Sequence, residues 1–197
     1  MSRWIIALLL TCASAAQAAP ATASPEEIER IERFLTDKGL LLQLDDVRHS
    51  VADKAHVVAD RTADLIGNAM GFIGVPYRRG GTSASTGFDC SGFIGYLFRE
   101  EAGMNLPRST REMINVDAPL VARNNLKPGD LLFFSTSGRG RVSHAGIYLG
   151  DNQFIHSSSR RSGGVRVDNL GDSYWSKTFI EAKRALAMAP TTITASK

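Results

Sequence analysis

The chain has 197 residues, enough for one domain of ordinary size with extensions. Apolar residues make up 43% of it, which excludes wholesale disorder. The formal charge is only +3, with a pI near 9.0. Lys and Arg are scattered, and no basic run is interleaved with aromatics. The sequence therefore offers no nucleic-acid-binding surface, and at most a weak attraction to an anionic polymer.

The first residues read as an address. Arg3 is a short positive region, Trp4 to Leu10 is apolar and is extended by Thr11, Cys12 and Ala13, and Ala16-Gln17-Ala18 fits the small-x-small cleavage rule. The apolar run is shorter than the about 20 residues a membrane-spanning helix needs. Residues 1–18 are thus expected to be a secretory signal peptide, with no transmembrane segment and a periplasmic or secreted product. Leu9-Leu10-Thr11-Cys12 loosely resembles a lipobox, with Thr11 in place of Gly, Ala or Ser, so lipidation of Cys12 is the alternative. Of the two cysteines, Cys90 alone remains after cleavage. An unpartnered thiol in an oxidising compartment is buried and inert, paired with another chain, or reactive.

Residues 19–60 are expected to form a helical extension. Ser24-Pro25-Glu26-Glu27 combines a Ser cap, Pro at the first helical position and a Glu that completes a capping box. Ile28, Ile31 and Leu35 follow at helical spacing, and Gly39 stops the helix. A second helix is expected from Asp46 to Phe72. Its stripe of Val47, Val51, Ala55, Val58, Leu65, Ala69 and Ile73 packs one face, and Gly74-Val75-Pro76 ends it. This extension would pack on the rest of the protein, occlude a groove or dock a protein partner.

Residues 61–187 are expected to form the main folded domain. A polar, glycine-bearing loop runs from Tyr77 to Phe88. A helix follows Asp89 to about Ala102, with Phe93, Leu97 and Phe98 apolar and Gly103 closing it. Arg108-Ser109-Thr110 opens a short amphipathic piece that ends before Pro119. From Asn125 the period becomes that of strands: Lys127-Pro128-Gly129-Asp130 is a turn, Leu131–Phe134 a fully apolar strand, and Ser135–Arg141 a flexible loop. Val142–Leu149 and Gln153–Ser157 form a hairpin about Gly150-Asp151-Asn152. Val165–Leu170 and Phe179–Leu186 are further strands, and residues 188–197 form a polar, disordered tail. Helices followed by antiparallel strands give an α+β fold, helices packed on an antiparallel sheet.

Cys90 stands just after Asp89, with Ser91-Gly92 opening the helix. In a first helical turn the macrodipole lowers a thiol's pKa, and unsatisfied N–H groups there can hold an oxyanion. The other reading is a small residue packed beside Phe88 and Phe93. A thiol nucleophile also needs a base. His49 and His56 lie among charged residues on the N-terminal helices and read as solvated surface. His144 sits early in a strand beside small residues, and the hairpin sets it opposite or diagonal to His156, within side-chain reach. One imidazole then accepts the Cys90 proton while the other orients it. Two histidines and one cysteine, with no acidic neighbour and no zinc-motif spacing, are a poor metal set. No metal or cofactor is expected.

Phe88-Asp89-Cys90-Ser91-Gly92-Phe93, Leu106-Pro107-Arg108-Ser109-Thr110, Pro128-Gly129-Asp130-Leu131-Leu132-Phe133-Phe134, Ser143-His144-Ala145-Gly146-Ile147-Tyr148-Leu149-Gly150 and Phe154-Ile155-His156 together resemble the NlpC/P60 family of cell-wall cysteine peptidases. The resemblance covers roughly residues 64 to 186. It implies a papain-like α+β fold and hydrolysis of peptidoglycan stem peptides, commonly at the bond between γ-D-glutamyl and a diamino acid. It implies Cys90 as nucleophile, His144 as general base and His156 as the third polar residue. It also places Tyr77, Asp89 and Ser91 in the stem-peptide pocket, although loop packing accounts for Tyr77 nearly as well. Arg108 either contacts a substrate carboxylate or is a surface arginine. Residues 19 to about 60 depart from the family. The competing functions are an N-acetylmuramoyl-L-alanine amidase and a non-catalytic wall-binding protein.

Overall fold

Helix α1 (Pro25–Asp37) begins on the expected reciprocal cap. The Ser24 amide donates to Glu27 Oε2 at 2.8 Å, and the Glu27 amide donates to Ser24 Oγ at 3.3 Å. The helix stops at Gly39, whose φ of 65° is the left-handed conformation that suits glycine. The computed structural model describes residues 24–37, 39–138, 140–159, 161 and 163–189. The expected signal peptide, the Cys12 lipidation site and the tail from residue 190 lie outside the described residues. The chain divides into two compact units at Asp53/Lys54, a boundary inside helix α2 (Leu40–Gly71).

Helix α2 starts at Leu40 rather than Asp46, because Leu and Gln are good helix formers and nothing between Leu40 and Asp46 breaks the run. Its apolar stripe is buried only in part. Leu65 and Ala69 are fully buried and Val58 packs beside them. Val47 and Val51 are each 60% exposed and Ile73 is 49% exposed, which corrects the expectation that the whole stripe packs. A helical period identifies a face able to pack, not whether another element covers it. Among the described residues, no helix is long and apolar enough to cross a membrane.

The loop from Tyr77 to Phe88 is more ordered than expected. It folds back as a ribbon of β1 (Thr82–Ser83) and β2 (Gly87–Phe88), and Tyr77 bridges to Phe88. Helix α3 (Cys90–Ala102) has the expected limits and ends on Gly103 in the left-handed conformation. Helix α4 (Thr110–Met113) follows, shorter than the sequence pattern implied.

The sheet contains β3 (Leu120–Val121), β4 (Leu131–Phe134), β5 (His144–Gly150), β6 (Gln153–Ser157), β7 (Val165–Asn169) and β8 (Phe179–Lys183). Their order is β3-β8-β4-β5-β6-β7, antiparallel throughout. Strand β3 and helix α5 (Ser173–Thr178) have no counterpart in the sequence reading, since both are too short to show a period. Strand β8 ends at Lys183, and the residues to Leu186 turn into a 3-10 helix over Ala185–Met188.

Strand β4 is apolar throughout because both faces of the sheet are covered. Leu131 and Phe133 pack with Phe93, Ile94, Leu97 and Phe98 of α3 and with Leu65 and Ala69 of α2. Leu132 and Phe134 pack on the other face with Tyr148, Phe154, Leu170, Trp175 and Ala182. This is the expected α+β architecture, helices against an antiparallel sheet.

Close contact fixes the start of α3. A Cβ on Gly92 would lie 2.0 Å from the Gly81 carbonyl oxygen, so only glycine lets the helix seat on the loop. We expect Gly92→Ala to lower stability by at least about 1–3 kcal/mol, read as a fall in the urea midpoint at unchanged m-value. An unchanged midpoint would show that the loop gives way without cost.

Candidate active site

Asp89 organises the segment around Cys90. As the cap of α3 it accepts the Gly92 amide on Oδ1 at 2.8 Å, and on Oδ2 it accepts the Gly80 amide at 2.8 Å. Arg108 clamps the same carboxylate with two bonds of 2.9 and 2.8 Å and also donates to Ser91 Oγ at 2.9 Å. Burial alone would raise the Asp89 carboxyl, but Arg108 and the two amides hold it below the usual carboxylate range. Cys90 is a free, partly buried thiol in the first turn of α3. The backbone N–H groups of Ser91, Ala145 and Cys90 itself favour its thiolate. The donor from Ala145, the residue after His144, puts the start of β5 beside the thiol.

His144 and His156 come together through the hairpin. Ile147 pairs with Ile155 and Tyr148 with Phe154, about a turn in which Asp151 and Asn152 both have positive φ. The histidines are then diagonal, and His144 Nε2 lies 2.7 Å from His156 Nδ1. Gly146 leaves room for Phe154 and His156, since a Cβ there would lie 2.7 Å from the Phe154 ring and 3.3 Å from His156 Cβ. His156 Nε2 lies 3.1 Å from Asp168 Oδ2 on β7. The same oxygen accepts Trp175 Nε1–H at 3.1 Å, and Arg166 donates to Asp168 Oδ1 from Nε at 2.8 Å. Phe154 packs against His156 with ring centroids 4.8 Å apart, and Trp175 lies 5.6 Å from the His144 ring and 5.0 Å from that of His156.

The hydrogen bonds determine the tautomers. An ionised Asp168 only accepts, so His156 carries its proton on Nε2. Neutral His156 then offers a bare Nδ1, and His144 donates to it from Nε2. The Nδ1 of His144 is left as the nitrogen able to take a proton. His144 is 6% exposed, and burial, with His156 adding to it, lowers its pKa to about 3. Burial also lowers His156, against the opposing pull of Asp168.

The thiol moves opposite to the expectation drawn from the helix start. Burial, reinforced by the charge of Asp89, pushes Cys90 above the ordinary cysteine range, and the three backbone donors only oppose this. The first-turn dipole is real, but desolvation outweighs it. Both shifts favour the neutral forms, a thiol at Cys90 and an uncharged imidazole at His144.

The structure gathers Cys90, His144, His156, Asp89, Ser91 and Tyr77 into one region. Tyr77 is half-buried, and its phenol is raised by burial and by the neighbouring Cys90 and Asp89. Arg108 is neither a free surface residue nor an unengaged cation, since it is bound to Asp89. His49 and His56 are exposed, on α2. Sequence reasoning missed Asp168, Trp175 and Arg166. Only Asp168 left a signal, as an acidic residue in the alternating strand Val165-Arg166-Val167-Asp168-Asn169. Also missed was Ser157, whose Oγ donates to the Phe88 carbonyl at 2.8 Å and ties β6 to the segment leading into Cys90.

Fold and site geometry together place the molecule in the papain-like α+β class. The model of the NlpC/P60 family matches residues 74–184, and the chain belongs to this family. It is 39% identical over 137 residues to the murein DD-endopeptidase MepH of Escherichia coli, covering 69% of this chain and 49% of MepH. This chain therefore spans about half the length of that relative. It is 34% identical over 190 residues to the probable endopeptidase NlpC homolog of Haemophilus influenzae, covering 92% of this chain and 97% of that protein. The crystal structure of an NlpC/P60 family protein from Bacillus cereus is similar with a TM-score of 0.58 at 33% identity, covering 64% of this chain and 40% of that one.

The buried imidazoles make stability pH-dependent. The unfolded chain takes up histidine protons near pH 6.5, whereas native His144 stays neutral down to about pH 3. Unfolding thus binds protons between these values, so the stabilisation is complete above pH 6.5 and is lost as pH falls. The urea midpoint is expected to fall between pH 6.5 and about 4.5, above the main carboxylate range, and to fall less in His144→Asn. Equal slopes would remove His144 as the cause. For the thiol, iodoacetamide labelling of Cys90 is expected to keep accelerating above pH 9.0, the ordinary cysteine value. A plateau near neutral pH would instead indicate a preformed thiolate–imidazolium pair.

Proposed function

We propose that this protein is an exported peptidoglycan endopeptidase that cleaves stem peptides by acyl transfer to Cys90. The observation that carries this reading is the chain His144–His156–Asp168, with bonds of 2.7 and 3.1 Å, beside a thiol at the start of a helix. His144 removes the thiol proton as Cys90 Sγ attacks the scissile carbonyl, which avoids forming a free thiolate in a site that disfavours one. Backbone N–H groups at the start of α3 stabilise the oxyanion. The C–N bond then breaks, and His144 returns the proton to the leaving amine. Water, deprotonated by His144, attacks the thioester, releasing the carboxylate product and restoring the thiol.

His156 holds the His144 ring and accepts from its Nε2–H, and Asp168 holds His156 in the tautomer that makes this possible. Asp89, Ser91 and Tyr77 line the side of the site that receives the acyl part of the stem peptide. The bond is the γ-D-glutamyl–diamino acid link that the family resemblance implies. The name of the Escherichia coli relative, a murein DD-endopeptidase, makes a D,D bond the competing target.

Digestion of purified sacculi, with mass spectrometry of the released muropeptides, tests both points. Cys90→Ala is expected to release nothing, and sacculi still cleaved by it would end the proposal. His144→Ala is expected to lose about 10²–10⁴-fold in kcat, and His156→Ala considerably less. Equal, complete loss in both would mean that base and orienter are not separate roles. New γ-D-glutamyl carboxyl termini identify the proposed bond, and new D-alanyl termini the other.

A further inference from the structure

His144 lines a cavity of about 340 Å³ whose other walls include Thr136, Arg166, Asp168, Tyr174 and Trp175. Ser91 and Arg108 belong instead to a separate hollow of about 100 Å³. The group that takes the thiol proton must hand it to the departing amine, so the residue that leaves occupies the space His144 borders. This space contains a built cation. Arg166 donates to Asp168 Oδ1 from Nε at 2.8 Å and is also ion-paired to it through a terminal nitrogen. A guanidinium has five N–H donors, so this engagement fixes the plane of the fork without exhausting it. Its side chain is 47% exposed, within reach of a ligand in the cavity.

We infer that Arg166 binds a free carboxylate carried by the amino acid that leaves. This rests on the endopeptidase reading and adds to it a substrate feature, an unamidated leaving residue. Asp168 serves both recognition and chemistry, since Oδ1 orients Arg166 and Oδ2 orients His156. A neutral carboxamide at the same position forfeits the charge-assisted contact. Tyr174 and Trp175, packed edge to face with centroids 4.9 Å apart, form the apolar wall beside it.

The test uses paired synthetic muropeptides that differ only in a carboxylate or carboxamide on the leaving residue, with whichever bond the full-length protein cleaves. The wild type is expected to favour the carboxylate peptide by about 10- to 100-fold in kcat/KM, the worth of one charged hydrogen-bonded contact. Arg166→Gln is expected to lose most of that preference, slowing the carboxylate peptide far more than the carboxamide one, and Arg166→Lys to retain part of it. Equal rates on the two peptides in the wild type would overturn the inference and leave the endopeptidase reading intact. So would an equal loss on both peptides in Arg166→Gln, accompanied by a changed pH profile, because Arg166 would then act only through Asp168. A wild type that cleaves neither peptide while Cys90 still labels with iodoacetamide would overturn the endopeptidase reading and the inference with it.

Discussion

One carboxylate, that of Asp89, joins the pieces on which the position of Cys90, the proposed nucleophile, depends. It closes the first turn of α3 through Gly92, holds the preceding loop through Gly80 and receives both arms of Arg108. Without it, the loop from Tyr77, the helix that starts at Cys90 and the segment before α4 would have no common anchor. The contact that makes Gly92 obligatory belongs to the same arrangement, because the helix start lies directly on the Gly81 carbonyl. Holding Cys90 there raises its pKa, through burial and through the charge of Asp89 itself. Arg108 limits that effect by pairing with the charge.

The proposed base is assembled by a different principle. Strands β5, β6 and β7 each supply one member of the chain His144–His156–Asp168, so the antiparallel register fixes the spacing. Phe134, Phe154 and Trp175 pack around the rings and leave His144 open only toward the cavity it lines. Burial keeps both imidazoles neutral, and His144 keeps a bare Nδ1 only if its Nε2–H has an acceptor in His156. Asp168 sets this arrangement from the far end. A buried polar network of this kind is stabilising only when every member is satisfied, and here each ring nitrogen facing inward has a partner.

These two assemblies meet from opposite faces of the sheet. Helix α3 packs on the face formed by Leu131, Phe133, Ala145 and Ile147, whereas the residues enclosing the histidine rings belong to the cluster on the other face. The link from Ser157 to the Phe88 carbonyl and the amide of Ala145 beside Cys90 join the two at the sheet's end. In the proposed reaction, the acyl part of the substrate lies by Asp89, Ser91 and Tyr77, and the departing part lies by His144 and Arg166.

The order of residues is enough for what is local or periodic. The Ser24 cap, the limits of α3, strand β4 and the hairpin turn follow from backbone preferences and from alternation over a few residues, and the hairpin alone brings His144 to His156. It did not determine which apolar faces find a cover, so Val47 and Val51 could not be told apart from Leu65 and Ala69 by spacing. Nor did it reveal β3 or α5, which are too short to carry a period and are defined by their neighbours. Asp168, Trp175 and Arg166 entered the site only with the tertiary structure, because the connection from β6 to β7 is too long to fix their register as a tight turn does, and the packing of Trp175 on Asp168 follows no period. The sign of the thiol's pKa shift belongs to the same class. A helix start is visible in the order of residues, but the burial that outweighs its dipole is a property of everything packed around it.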